Sequence, residues 1–452
     1  MEFVNLARDV EIGANSFLIR TRRRQVVLDS GMHPKREGGE ALPDFTHLAE
    51  GAPDAIVVTH AHQDHVGSLP HLTRRNPKAK VFLTEATARI ADVMLHNSVN
   101  VMFRQKEEKG IDPLFTHRSV ELCREAWQPC QYRIRHDFSG ERADDGDTFE
   151  FYPAGHILGA AGVLLRMDGR SIFFTGDVNF ENQTLIRGAD FPESGVDVLI
   201  METTRGDSPL PPGFTRAKEE LRLAEAIRAG FEKGGAVTIP VFALGKTQEL
   251  LGMLWKMRIK GLIPACPIYI GGLSTKISTI YDNFAADPQR QISELQLLHE
   301  LAPYVLSGND IASMHPRKRC IFALSSGMMT PNTLSNIFAK KILGDPNQTL
   351  LFVGYSDPDS PAAKIRSAAP GDPVTPDPRA PAIPLQCEVN EFNFSAHASR
   401  ESLLKYAVAL RPKKILLVHG DRPAAEWFQL SLFKDLPNTE VVIPEPGARI
   451  PL

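Results

Sequence analysis

The stretch Thr59-His60-Ala61-His62-Gln63-Asp64-His65 places three imidazoles and a carboxylate within six residues. The apolar run 55–59, typical of a short buried strand, leads directly into this stretch. A helical pattern begins beyond it, near Gly67. Because alternate side chains of a loop leaving a strand face the same way, His60 and His62 are predicted to face one metal ion. Asp64 and His65, one turn further on, are predicted to face a second. Imidazole and carboxylate suit Zn²⁺, with Mn²⁺ or Fe as alternatives.

The plain alternative for this stretch is a histidine-rich surface loop. The adjoining apolar strand argues against it, because a loop anchored to a buried strand is not free surface. His71 continues the run of histidines but falls within the helical pattern, where we expect an exposed side chain without a role.

Two further candidate ligands occur later in the chain. Gly155-His156 precedes the segment 157–162, whose glycines and alanines let the backbone approach closely. Asp177 ends Phe173-Phe174-Thr175-Gly176-Asp177, again directly after an apolar strand. Either residue alone would be interpreted as a turn residue. Their occurrence together after the first cluster favours metal ligation.

Composition limits the class of protein. The chain has 452 residues, 42% of them hydrophobic, which is enough for two or three domains with full cores. A net charge of -3 argues against non-specific coating of a polyanion but leaves room for a focused basic cleft. Five scattered cysteines without a Cys-x-x-Cys pair predict reduced thiols and a cytoplasmic location. The absence of a signal pattern and of a long apolar run predicts no membrane association.

The pattern of elements changes near residue 208. The first 200 residues are rich in short strands, whereas helices and strands alternate after residue 208, as in a parallel α/β domain. Eight prolines fall between residues 356 and 384, and we interpret this segment as a connector outside the core. Helix and strand patterns resume beyond it.

The order His-x-His-x-Asp-His, then His156, then Asp177 resembles the metallo-β-lactamase superfamily. Within it, Asp29 and the segment 155–161 are similar to the β-CASP nucleases. Three more motifs of that group are matched in order by Glu202, His397 and His419. The resemblance covers nearly the whole chain.

The resemblance implies an α/β fold in two parts. Residues 1–207 and 391–452 would together form an αββα metallo-β-lactamase sandwich. Residues 208–390 would form an inserted parallel α/β β-CASP domain that covers the metal cleft.

The resemblance also implies roles for the site residues. Two Zn²⁺ ions are expected, one held by His60, His62 and His156, the other by Asp64, His65 and His419, with Asp177 bridging them. A hydroxide held by both metals would attack phosphorus, giving 5′-phosphate and 3′-hydroxyl ends. The catalytic residues are expected to be Asp64, His397 as proton donor, and Glu202, which would hold the other ring nitrogen of His397.

The resemblance also leads to expectations about two residues near the ligands. Asp29 is expected to support a metal-bound histidine. Ser399 stands where the family often has aspartate, which weakens the charge near His397.

The function expected from these observations is a zinc-dependent ribonuclease in RNA processing or decay. Histidine at position 419 accompanies the RNA-processing members of the family, so single-stranded RNA is the expected substrate. Since the sequence indicates no appended RNA-binding domain, we expect substrate specificity to come from the cleft, from a homodimer or from a partner in a processing complex. The alternatives are a DNA nuclease of the same fold and a non-catalytic RNA-binding scaffold.

Overall fold

The structure, a computed structural model, describes residues 1–48 and 51–452. These residues form two compact units. The first comprises Met1–Asn182, Ile186–Leu210 and His397–Leu452, and the second Gln183–Leu185 and Pro211–Ala396.

The first unit contains two seven-stranded sheets. The strands of one sheet are β1 Glu2–Asn5, β2 Phe17–Arg20, β3 Gln25–Leu28, β4 Ala55–Val57, β5 Lys80–Thr84, β6 Trp127–Cys130 and β22 Arg449–Pro451. The strands of the other are β7 Arg135–Asp137, β8 Thr148–Pro153, β9 Ala161–Met167, β10 Arg170–Phe174, β11 Val198–Glu202, β20 Lys414–Val418 and β21 Glu440–Val442. Their orders are β22-β1-β2-β3-β4-β5-β6 and β21-β20-β11-β10-β9-β8-β7.

Apolar side chains of the two sheets share one core. The rings of Phe17 and Phe174, from opposite sheets, have centroids 5.6 Å apart, and those of Phe82 and Phe149 are 4.7 Å apart. Strand β11 runs parallel to both of its neighbours and is buried along its whole length. A strand buried on both faces needs a continuous apolar sequence, which explains the run Val198–Met201.

Helices cover both faces of this sandwich. They are α1 Gln63–Val66, α2 Leu69–Arg75, α3 Glu85–Lys109, α4 His117–Glu125, α12 Arg400–Leu410 and α13 Arg422–Asp435. Helix α3 contacts β5 and β6 of one sheet, and α13 contacts β20 and β21 of the other. The predicted αββα architecture is therefore confirmed.

The longest helix among the described residues is α3, with 25 residues. It begins where the Thr84 hydroxyl accepts a hydrogen bond from the Thr87 amide, and it ends before Gly110, whose φ of 72° few other residues adopt. Neither α3 nor any other helix in the described ranges is long and apolar enough to cross a bilayer.

The second unit contains one six-stranded sheet, and every strand pair in it is parallel. Its strands are β12 Val237–Pro240, β13 Ile268–Gly271, β14 Tyr304–Leu306, β15 Ile321–Leu324, β16 Thr349–Phe352 and β19 Glu388–Glu391, in the order β14-β13-β15-β12-β16-β19. Its helices are α5 Arg216–Glu232, α6 Lys246–Ile259, α7 Gly272–Asn283, α8 Leu297–Leu301, α9 Gly308–Ser313, α10 Leu334–Ile342 and α11 Pro361–Ser367. The expected parallel α/β unit is present.

The proline-rich segment 356–384 is not the connector that the sequence indicated. It contains α11 and a two-stranded hairpin of β17 Pro373–Val374 and β18 Ile383–Pro384. Ala362, Ile365 and Val374 belong to the apolar core of the second unit. The interpretation was wrong because proline is well tolerated at the first position of a helix, where Pro361 stands behind the capping Ser360.

Candidate active site

All nine predicted site residues lie in the first unit, and the structure brings them together. Most of them sit just beyond the carboxyl end of a strand or on its last residue. The strands and residues are β4 with His60, β8 with His156, β10 with Asp177, β11 with Glu202 and β20 with His419. Short buried strands thus position side chains that would be mobile on free loops.

The first ligand group consists of His60, His62, His156 and Asp177. Nδ1 of His62 lies 3.0 Å from Nε2 of His60 and 3.0 Å from Nε2 of His156. Oδ2 of Asp177 lies 3.5 Å from Nε2 of each of the latter two histidines. With Zn–N distances of about 2.0–2.1 Å, tetrahedral ligand atoms are about 3.4 Å apart, close to these separations.

The second ligand group consists of Asp64, His65 and His419. Nε2 of His419 lies 3.2 Å from Oδ2 of Asp64 and 3.3 Å from Nε2 of His65. His419 has a φ of 49°, an uncommon conformation for a residue with a Cβ. The Thr204 hydroxyl lies 3.0 Å from its Nδ1 and donates to its carbonyl oxygen, which holds this backbone and ring in place.

Asp177 joins the two groups. Its Oδ1 lies 3.3 Å from Nε2 of His65 and 3.1 Å from Nδ1 of His419, both in the second group. This oxygen is buried, yet among the described residues no hydrogen bond reaches it. A buried carboxylate oxygen surrounded by imidazoles and lacking a hydrogen bond fits a position bound by a cation.

The protonation states also fit a metal centre. Burial lowers the pKa of His60 well below its ordinary value and that of His62 to about 4, so both imidazoles are neutral, as ligation requires. Burial raises the pKa of Asp177, but His419 and His65 outweigh this effect and lower it well below 3.8. Burial lowers the pKa of His65, but Asp177, Asp64 and Asp29 outweigh this effect and raise it well above 6.5, so a metal ion bound by this ring would displace a proton from it.

A third group places a histidine beside the two ligand groups. Nδ1 of His397 lies 3.1 and 3.2 Å from the two carboxylate oxygens of Glu202, and its Nε2 lies 3.9 Å from Oδ2 of Asp177. Glu202 is 1% exposed, and its Oε1 accepts a hydrogen bond from the Val178 amide. Burial lowers the pKa of His397, but Glu202 and Asp177 outweigh this effect and raise it above 6.5. The ring can therefore carry a proton on the nitrogen that faces Asp177.

Ser399 does not act on His397 through a hydrogen bond of its own. Its hydroxyl accepts from the Ser402 amide and caps α12, the helix that begins three residues after His397. The carboxylate that holds His397 is instead that of Glu202.

The structure bears on two further sequence expectations at this site. Asp29 contacts a candidate metal ligand, as expected of a residue that supports a histidine. Its Oδ2 lies 2.8 Å from Nδ1 of His65. His71 lies on α2 as predicted, but it is buried and belongs to none of the ligand groups, so its expected exposure was wrong. The hydroxyl of Thr204 was missed, since a threonine near an acidic motif gives no signal in a sequence.

Three known domain families match the chain in succession. Residues 10–229 match the metallo-beta-lactamase superfamily, residues 247–365 the Beta-Casp domain, and residues 382–444 the Zn-dependent metallo-hydrolase RNA specificity domain. The matched ranges together span most of the chain and contain all nine site residues.

Curated relatives agree with these matches. The chain is 28% identical over 444 residues to an RNase J-like protein of Methanocaldococcus jannaschii, covering 98% of this chain and 97% of the relative. It is 29% identical over 431 residues to the endoribonuclease ysh1 of Schizosaccharomyces pombe, covering 93% of this chain but only 54% of the relative. It is 27% identical to cleavage and polyadenylation specificity factor subunit 3 of Dictyostelium discoideum, covering 100% of this chain and 57% of the relative.

A solved structure shares the fold. A protein of unknown function from Enterococcus faecalis superimposes with a TM-score of 0.54 at 14% identity, covering both chains completely. The ordered family matches, the relatives and the convergent His/Asp groups confirm the resemblance seen in the sequence. The chain belongs to the β-CASP family of metal-dependent hydrolases within the metallo-β-lactamase superfamily.

Proposed function

We propose that this protein is a zinc-dependent ribonuclease that hydrolyses RNA phosphodiester bonds with two bound metal ions. The observation that carries the proposal is the pair of ligand groups joined by Asp177, with His397 beside them. A single metal site would need only three or four of these side chains.

The proposed division of ligands follows the two groups. His60, His62 and His156 would hold one zinc ion, Asp64, His65 and His419 the other, and Asp177 would contact both. When bound, two such cations supply an activated water at neutral pH and offset the charge of a phosphodiester. The carboxylates would also position the ions, which is the role we assign to Asp64 in catalysis.

His397 is the proposed proton donor. Hydrolysis that yields a 5′-phosphate breaks the bond between phosphorus and the 3′-oxygen, so that oxygen must gain a proton as it leaves. The Nε2 atom of His397 faces the ligand groups, while Glu202 holds its Nδ1. The same contact raises the pKa of the ring, which favours its protonated form before the bond breaks.

RNA is the proposed substrate, and we favour a single strand. The RNA specificity domain match includes His397 and His419, and the relatives carry ribonuclease names. The same site could in principle hydrolyse DNA, which is the second candidate function. A non-catalytic scaffold is disfavoured because every proposed ligand is present and correctly grouped.

The domain division and the setting of the protein belong to the same proposal. We assign residues 1–207 and 391–452 to the metallo-β-lactamase domain and 208–390 to the β-CASP domain; the extent of the two compact units supports this assignment. A cytoplasmic location is supported by five cysteines that are all free and buried. A homodimer or a processing-complex partner stays a prediction.

The test compares cleavage of single-stranded RNA and DNA of the same sequence by the purified protein. With zinc, we expect RNA to be cleaved to fragments with 5′-phosphate and 3′-hydroxyl ends, and chelation to abolish cleavage. His65→Ala should be inactive, whereas the matched variant His299→Ala, at a side chain that is 80% exposed, should retain activity. Faster cleavage of DNA would favour the second candidate, and unchanged cleavage by His65→Ala would refute the metal mechanism.

A further inference from the structure

An aromatic side chain is exposed at the carboxyl edge of the parallel sheet in the second unit. Tyr355 is 62% exposed and is the third residue after β16. The other large hydrophobic side chains that are exposed in the described part of the chain lie within helices or within β14. Tyr355 differs from them because it stands where α/β proteins bind ligands.

Tyr355 lines a cavity that two neighbouring loops form. Strands β12 and β16 pair in parallel, so the loops that follow them leave the sheet side by side. Val241 and Phe242 of the first loop and Val353 and Tyr355 of the second line the cavity. Its walls are therefore largely apolar and aromatic, as in sites that take flat organic rings.

Both aromatic side chains belong to well-anchored backbone. Nη1 of Arg366, on α11, donates to the carbonyl oxygen of Gly354 over 3.2 Å and to Oγ of Ser356 over 3.0 Å. These are the two neighbours of Tyr355 in the chain. A Cβ at Gly327 would lie 3.1 Å from the ring of Phe242, so this ring packs against the backbone there. A surface held in place before its ligand arrives loses less conformational entropy on binding.

A cation lines the same cavity. A Cβ at Gly354 would lie 3.5 Å from Cε of Lys246, so the lysine side chain lies beside the loop of Tyr355. The ammonium group of Lys246 donates to the carbonyl oxygen of Phe394. An aromatic face beside a positive charge matches a nucleotide of a single strand, which offers a flat base and a phosphate.

We propose that the ring of Tyr355 stacks on an unpaired base of the RNA substrate, in a cavity where Phe242 forms part of the wall and Lys246 attracts a backbone phosphate. The inference rests on the ribonuclease function proposed above. A base within a duplex is covered by its neighbours on both faces, so only an unpaired base can stack on the ring. Every base has such a face, so this contact selects single strands and not a sequence.

Three variants isolate the ring. Tyr355→Ala removes it, and Tyr355→Phe keeps it without the hydroxyl. Tyr304→Ala is the matched control, at a tyrosine of the same unit that is 58% exposed but lies in β14. Loss of one stacked aromatic side chain typically weakens binding of a single strand about 5–150-fold.

The first experiment is steady-state cleavage of a single-stranded RNA by the zinc-loaded proteins. Tyr355→Ala should raise KM about 5–150-fold and leave kcat unchanged, because the contact is made before and during the reaction alike. Tyr355→Phe and Tyr304→Ala should keep the wild-type KM. Circular dichroism checks that each variant is folded, and Tyr355→Leu, which is apolar but has no aromatic face, replaces Tyr355→Ala if that variant is not.

The second experiment repeats the cleavage with RNAs that carry one abasic nucleotide at successive positions. At one position the missing base should raise the KM of the wild type about as much as Tyr355→Ala does. At that position it should have no further effect on Tyr355→Ala, because the two partners of one contact are not additive.

The outcomes separate this inference from the proposed function. An unchanged KM in Tyr355→Ala, an equal rise in Tyr355→Phe, or abasic effects that persist at every position in Tyr355→Ala would each overturn the stacking role. Cleavage by the wild type would leave the ribonuclease function intact in all three cases. A wild type that cleaves no single-stranded RNA would overturn that function and this inference with it.

Discussion

The residues that directly follow the strands differ in chemistry between the two compact units. In the first unit the residues that follow β4, β10 and β20 include His60, Asp177 and His419, whose side chains ionise or bind metals. In the second unit the triplets after β12, β15 and β16 are Val241-Phe242-Ala243, Ser325-Ser326-Gly327 and Val353-Gly354-Tyr355. All three His/Asp/Glu groups that could hold a metal, among the described residues, belong to the first unit.

This difference leads us to expect chemistry in the first unit and substrate contact in the second. Loops at the carboxyl ends of parallel strands are where α/β proteins bind ligands, and these three loops of the second unit offer hydroxyls, backbone amides and aromatic rings. Such groups can contact a substrate but supply no proton donor near neutral pH and no strong metal ligand. We therefore expect substitutions in the first unit to change the rate of the reaction, and those in the second to change stability or binding.

The largest expected effect is that of Asp177→Asn. The amide cannot carry the negative charge that both ligand groups share, so cleavage should fall by at least about 10³-fold, several kcal/mol of transition-state stabilisation. Single-turnover cleavage of RNA measures the loss. The control is Asp168→Asn, at an exposed turn with a φ of 48° that asparagine tolerates. Equal losses in the two variants would contradict a special role for Asp177.

His397→Asn should have the next largest effect. It removes the proposed proton donor, so turnover should fall about 10²–10³-fold while zinc content stays at two equivalents. Glu202→Gln should lower turnover less, because His397 remains but loses its charged partner. The control is His299→Asn, and a loss of zinc from His397→Asn would indicate a ligand instead of a donor.

The ability to foresee this site from the sequence has a physical basis. Imidazoles and carboxylates after apolar strands converge because β4 of one sheet and β8, β10, β11 and β20 of the other end close together, and the structure brings the nine predicted side chains together there. Thr204 gave no comparable signal, because hydroxyls are common and their roles depend on partners distant in sequence.

The errors also have physical causes. The proline-rich segment was taken for a connector by composition, although Pro361 starts a helix that packs on the core. His71 was expected to be exposed because a helical pattern does not reveal which face is covered; its ring stacks on Phe45 with centroids 6.3 Å apart.

Gly31→Ala should have an intermediate effect, which a zinc titration measures. A Cβ at this position would lie 1.8 Å from the carbonyl oxygen of Asp64, which is backbone and cannot rotate away. The segment that carries Asp64 and His65 must therefore shift, and zinc affinity should fall about 10-fold or more. Gly39→Ala is the control, since a Cβ there meets nothing within 4 Å. Unchanged zinc binding in Gly31→Ala would show that this segment adapts without loss.

The smallest effect on the metal site is expected from Arg290→Met, a substitution in the second unit. Arg290 is 1% exposed, and its guanidinium donates to the carbonyl oxygens of Tyr281 and Leu295 over 2.7 and 3.0 Å. Arg290→Met leaves these oxygens without that donor, so the free energy of unfolding should fall by about 2–4 kcal/mol. Zinc content should nevertheless stay at two equivalents, because no proposed ligand lies in this unit. Denaturant titration and metal analysis, with exposed Arg228→Met as the control, measure both quantities. Loss of zinc from folded Arg290→Met would mean that the metal site depends on the second unit, and the expected separation of chemistry from substrate contact would fail.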